Sequence, residues 1–132
     1  MSVVKPGMAL VAWLWLAGQL GADALDPIFG RWGSPAQCAG AILVPGGSKR
    51  AEPIAISRDW LRQGAIWCRL IWFEPQQRES GLYAGARAGC GEDAARFYWL
   101  GLSLDQTPEE PMLTVIWDES LANGPMARCP AE

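Results

Sequence analysis

Four cysteines, Cys38, Cys68, Cys90 and Cys129, stand so far apart that no two lie within twenty residues of one another. That spacing constrains the fold more than any other feature of the chain. Structural zinc sites take their thiolates in close pairs, so metal is the poorer use of these four. An even number of cysteines in an oxidising compartment pairs into disulfides.

The N-terminus specifies such a compartment. "MSVVKPGMALVAWLWLAGQLGADALD" has a cation at Lys5, an apolar run from Met8 to Leu16, and small residues Ala22 and Ala24 around Asp23. This is the layout of a secretory signal peptide over residues 1–24, cut after Ala24. The apolar run ends at Gln19, short of the roughly 20 residues a spanning helix needs, so no membrane span is expected after cleavage. Gln19 also stands where the lipidated cysteine of a lipoprotein box would be. Cleavage leaves residues 25–132, a single small domain of 108 residues with 10 basic and 13 acidic side chains. This mild charge, without a basic stretch, argues against nucleic acid or an anionic membrane surface as partner. Arginine in place of lysine, with abundant alanine and glycine, points to a bacterial source and hence to a periplasmic or secreted protein.

Period-two alternation carries the rest of the architecture. In "AIWCRLIWFE", Ile66, Cys68, Leu70 and Trp72 share one face; Trp67, Arg69, Ile71 and Phe73 share the other. In "GLYAGARAGC", Leu82, Ala84, Ala86, Ala88 and Cys90 alternate with Tyr83, Gly85, Arg87 and Gly89. Tyr98, Leu100, Leu102 and Leu104 form a further stripe, as do Leu113, Val115 and Trp117. A hairpin turning near Gln77 brings Cys68 toward Cys90, with small alanines facing large rings, though counting residues sets Cys68 opposite Arg87 and demands a bulge. The expected bridges are Cys68 with Cys90 and Cys38 with Cys129. "AILVPGG" reads as a short apolar run ended by a turn, and "RDWLRQG" as a helical turn capped by Ser57 and ended by Gly64. The whole is an all-β, mainly antiparallel, disulfide-stapled barrel or sandwich of about seven short strands.

Chemistry is restricted by what is missing. The chain has no histidine, which removes Ser-His-Asp and Cys-His catalysis and histidine-held metals; no cofactor is expected. Glu92 with Asp93 and Asp118 with Glu119 are adjacent acids. Neighbours on a strand point to opposite faces, so a carboxylate hydrolase would need one acid from each pair to converge. The tryptophans are more informative. Trp67 and Trp99 lie on the faces opposite the core, beside Arg69, Phe73 and Phe97, and tryptophan with arginine is the composition that anchors interfaces. These five residues form the candidate binding surface, unless a loop or the Trp60 segment covers them.

The expected function is therefore an exported, non-catalytic binding module that meets an extracytoplasmic protein through an aromatic face or loops. In general form it resembles the small barrel inhibitors that bacteria keep in the periplasm against proteases or lysozymes. The likeness covers architecture alone, and no inhibitory residue is carried over. The alternative is a calycin-like carrier that buries a small apolar ligand against its tryptophans. N-terminal sequencing of the exported protein is expected to begin at Leu25; a chain that keeps residues 1–24 would contradict the leader.

Overall fold

The computed structural model describes residues 24–92 and 95–131. Nine strand segments occur there: β1 (Gly30–Gly33), β2 (Ile54–Ile56), β3 (Trp60–Gln63), β4 (Ile66–Trp72), β5 (Gln76–Gln77), β6 (Gly81–Cys90), β7 (Arg96–Asp105), β8 (Met112–Trp117) and β9 (Leu121–Arg128). A five-residue helix, α1 (Pro35–Ala39), follows β1, and a 3-10 turn over Asp26–Ile28 precedes it. The ladders are antiparallel and run between strands that follow one another along the chain, with β4 and β5 lying in succession along the same side of β6. The β1–β9 ladder closes the ring. The result is an eight-position, up-and-down barrel rather than a sandwich, and closure pairs the first strand with the last instead of exposing two sheet edges.

The inner face is apolar, as alternation demands. Leu61, Cys68, Leu102, Leu113 and Val115 are wholly buried. Along its middle, strand β6 supplies only alanine to this face: Ala86 lies opposite Trp72 and Leu100, and Ala88 opposite Leu70 and Tyr98. Small residues between two rows of large ones let the layers interdigitate at interior density.

One end of the barrel is plugged. Trp32 is fully buried, and its Nε1 donates to the Ile28 carbonyl at 2.8 Å. Arg128, from the last strand, lies 4.4 Å above the Trp32 ring and donates to the Phe29 carbonyl at 2.6 Å and the Pro27 carbonyl at 2.5 Å. Gly30, at φ +136°, passes so close beneath that guanidinium that a Cβ would collide with it. Phe29 meets Trp72 edge-on at 6.0 Å, and Trp72 Nε1 donates to the Arg58 carbonyl at 2.6 Å. Asp105, also at this end, accepts bonds from Thr107 Oγ1 and the Thr107 N–H at 2.7 and 3.0 Å. Those bonds hold its carboxyl below the usual range, so whatever they contribute is present above the unfolded value and fades as pH falls through the lowered one.

Both disulfides join the expected partners, Cys68 with Cys90 and Cys38 with Cys129. The route to the first differs from the counted register. The hairpin turns at Glu79–Ser80, between a reciprocally bonded Arg78 and Gly81, not near Gln77. Between the pairs Trp72–Ala86 and Gln76–Tyr83 the β4–β5 side runs four residues against three. This one-residue slip falls at Pro75, which has no N–H for a ladder. Cys68 thereby stands directly opposite Cys90.

One other local expectation is corrected. The segment after Ser57 is strand β3, not a helical turn. Ser57 Oγ does accept the Trp60 N–H at 3.3 Å, as a cap would, but the ladders to β2 and β4 take the remaining backbone groups. "AILVPGG" makes no strand; Ile42 forms an isolated bridge with Arg50 and stays exposed.

The two bridges close loops of very different length, with separations of 91 and 22 residues. On the loop-entropy model, C38A/C129A is expected to lower the unfolding free energy by about 4.6 kcal/mol and C68A/C90A by about 3.4 kcal/mol. Urea titration of the two double variants checks the order as well as the sizes.

Candidate functional site

The barrel end opposite the plug is open. It is ringed by the β3–β4, β6–β7 and β8–β9 connections, and an open pocket of about 1070 Å³ lies over the rim there. Inward-pointing residues form its wall: Ile66 and Cys90, then Tyr98, Trp117, Leu121 and Asn123. Gln63, Trp67, Glu92 and Arg96 also line it. Strands β1 and β2, four and three residues long, contribute nothing to this lining.

Each wall residue has a local cause. Tyr98 and Trp117 end the inner stripes of β7 and β8 and meet edge-on, 5.8 Å apart. On β9, three steps from Met126 to Asn123 oppose two from Leu113 to Val115. This irregularity spans the Gly124–Pro125 dipeptide, whose proline again lacks the ladder N–H. It carries Asn123 to the inner side, where its Oδ1 accepts the Trp117 Nε1 hydrogen at 3.1 Å. The Asn123 amide therefore has its donor group left for another partner.

Ile66 and Leu121 expose the character of this end. Both belong to inner-face positions, Leu121 lying opposite Trp117, yet they are 52% and 70% exposed. Alternation groups Ile66 with the core residues of its strand. Its direction obeys that pattern, but at the mouth there is nothing across from it to bury it.

The five residues expected to form a binding surface lie elsewhere, on the outer wall of β4, β6 and β7, with Trp67 shared between that wall and the mouth. Arg69 lies opposite Gly89, which lies opposite Phe97; Ile71 lies opposite Arg87, which lies opposite Trp99. Phe73 and Trp99 reach across β6 and stack at 5.7 Å with an interplanar angle of 26°. They lie over Gly85, where a Cβ would just touch the Phe73 ring at 3.4 Å. The Arg87 guanidinium lies 4.0 Å over Phe97. None of the described loops covers these side chains: Trp67, Phe73, Phe97 and Trp99 are all exposed. Trp60 joins their row opposite Arg69 rather than lying over it.

Among the described residues, the acids of the two pairs are set apart. Glu92 is the one carboxylate lining the pocket among the described residues. Asp118 caps the outer wall instead: its Oδ1 accepts the Trp99 N–H at 2.8 Å, and its own N–H donates to the Trp99 carbonyl at 2.8 Å. Glu119 is exposed in the same turn, and Asp93 lies outside the described residues. Among the described residues no three cysteine or carboxylate side chains are grouped to hold a metal ion, and no helix is long and apolar enough to cross a membrane.

Fold and site thus define an eight-position up-and-down barrel, plugged at one end and open at the other into an apolar mouth. Searches of protein-family models, curated proteins and solved structures return no match to this chain.

The Trp117–Asn123 bond gives the mouth its polar point. N123A is expected to cost about 1 kcal/mol by leaving a half-buried indole N–H without its partner, read by urea unfolding monitored through tryptophan fluorescence.

Proposed function

We propose that the protein is an exported, non-catalytic binding protein whose mouth takes a small, largely apolar ligand. The observation that carries this reading is the 1070 Å³ pocket walled by inward-facing Ile66, Tyr98, Trp117 and Leu121. Ligand sites are concave, mostly apolar, and hold a few polar groups that set orientation, and barrel mouths are among their usual places. Here Asn123 and Tyr98 supply that polarity within the wall, and Arg96 and Glu92 supply charge. A ligand with an apolar body and one hydrogen-bond acceptor fits the free Asn123 donor. Export through the leader of residues 1–24 into a bacterial periplasm, or beyond it, agrees with the two disulfides, which belong to an oxidising compartment.

A second reading rests on a separate observation, the uncovered Phe73–Trp99 stack. Aromatic rings with arginine beside them are what protein interfaces use as anchors, so the outer wall of β4, β6 and β7 is the place for an extracytoplasmic protein partner.

N-phenyl-1-naphthylamine, a neutral apolar fluorophore, is expected to bind the mature protein saturably and to quench tryptophan emission. L121E places a charge in the mouth at an already exposed position and should weaken that binding at least about tenfold, the cost of one uncompensated polar burial, with an unchanged circular dichroism spectrum. Absence of saturable binding, or equal affinity in L121E, ends the mouth reading. For the outer wall, a periplasmic partner retained by the native protein and lost with F73S/W99S is the result expected.

A further inference from the structure

The segment between α1 and β2 builds a finger that neither reading uses. Residues 41–50 are exposed throughout. Hydrogen bonds nevertheless hold the segment as a small hairpin: Ala51 N–H to the Ala41 carbonyl at 2.7 Å, Leu43 N–H to the Lys49 carbonyl at 3.0 Å, and Gly47 N–H to the Val44 carbonyl at 2.8 Å. Pro45 and Gly46 are the central residues of the tip turn, and Gly46 has φ +79°. Proline and then a glycine of positive φ is the chemistry of a type II turn. The base is fixed by Arg50 Nη1 donating to the Gly40 carbonyl at 3.2 Å, and by α1, which the Cys38–Cys129 bridge ties to the end of β9.

This ordered finger presents three consecutive branched aliphatic side chains to solvent: Ile42, Leu43 and Val44 are 51%, 60% and 63% exposed. The returning limb carries Lys49, opposite Leu43, and Arg50, opposite Ile42. From Gly40 to Ala51 these are the only ionisable side chains, and Lys49 is the only lysine outside residues 1–24.

We infer that the finger docks the protein on an anionic phospholipid surface, with Ile42, Leu43 and Val44 entering the headgroup boundary and Lys49 and Arg50 meeting lipid phosphates. Composition selects this occupant. Protein interfaces concentrate their energy in tryptophan, tyrosine and arginine, with leucine and valine under-represented, and the tip has no aromatic residue. An apolar wedge beside cations is what a bilayer interface accepts, by apolar burial and by attraction to anionic headgroups. A second copy is a poor fit, because a tip of a few residues buries far less than the roughly 1,200 Å² that a stable interface needs. The whole-chain charge of −3 argues against an anionic surface at long range. Within a Debye length of the finger Lys49 and Arg50 stand against one neighbouring acid, Glu52, which leaves the segment locally cationic.

The test is co-sedimentation of the mature, oxidised protein with vesicles of phosphatidylcholine alone and of phosphatidylcholine mixed with phosphatidylglycerol. The native protein should sediment with the mixed vesicles and far less with the neutral ones. L43S/V44S should weaken binding about tenfold or more, and K49E should lower the preference for anionic vesicles about fivefold or more, one lost cation being worth about fivefold. All three positions are exposed and none holds the base of the finger, so folding is retained and is checked by circular dichroism. L121E should bind vesicles as the native protein does, which separates this site from the mouth. Failure of the native protein to sediment with anionic vesicles overturns the inference, as does L43S/V44S binding that matches the native protein. A dimer in sedimentation velocity that L43S/V44S dissociates would also overturn it and assign the finger to a second copy.

Discussion

The barrel depends on the seam between its first and last strands. Strand β1 meets β9 through only two registered pairs, Trp32 with Arg128 and Gly33 with Ala127, while β6 and β7 share ten. Arg128 reinforces this short ladder by covering the Trp32 indole and tying the backbone of Pro27 and Phe29, residues about a hundred positions away in the chain. The Cys129 N–H, next along, donates to the Arg31 carbonyl at 2.8 Å, and the same residue carries the bridge to Cys38. Covalent, hydrogen-bonding and packing contributions thus converge on the one place where long-range closure entropy is greatest.

Strand β6 plays a different part, as a thin wall. Its inner side is mostly alanine and its outer side is largely glycine, with Tyr83 and Arg87 as the large outward exceptions. Large side chains consequently lie close to the sheet on both sides: Trp72 and Leu100 over Ala86 within, Phe73 and Trp99 across Gly85 without. The mouth and the outer aromatic wall therefore share these three strands. A side chain added to the wall on one side leaves the other side unchanged, because successive residues point apart.

Residue spacing alone makes much of this legible. Period two places the inner stripes of β4, β6, β7 and β8 correctly, because a closed barrel buries one face of every strand. The same alternation puts Cys68 and Cys90 on inner stripes of neighbouring strands, whereas Cys38 and Cys129 are left to join the two ends of the domain. What spacing does not encode is where a ladder slips. Pro75 and Pro125 each mark a slip, yet a proline in sequence is compatible with an edge, a turn or a strand end as well. Asn123 is invisible as a mouth residue for that reason. The helix α1 escapes a periodicity reading although Ser34 and Gln37 form a reciprocal capping box behind Pro35; five residues are too few to show a helical period. Ser57 looks like a helix cap because its hydroxyl makes the bond a cap makes, and only tertiary pairing decides between helix and strand in the residues after it. The mouth leaves no trace in the pattern because alternation reports direction, and Ile66 points inward whether or not anything faces it.

The segregation of plug from mouth has a functional consequence. The side chains that hold the ring shut sit at the end with Gly30, Trp32 and Arg128, whereas the opposite rim is made of short connections around Ala65, Gly91 and Asp118. On the reading proposed above, substitutions at the rim outside the Cys68–Cys90 bridge change ligand choice and leave the Trp32–Arg128 seam intact, so uptake and closure are separately adjustable.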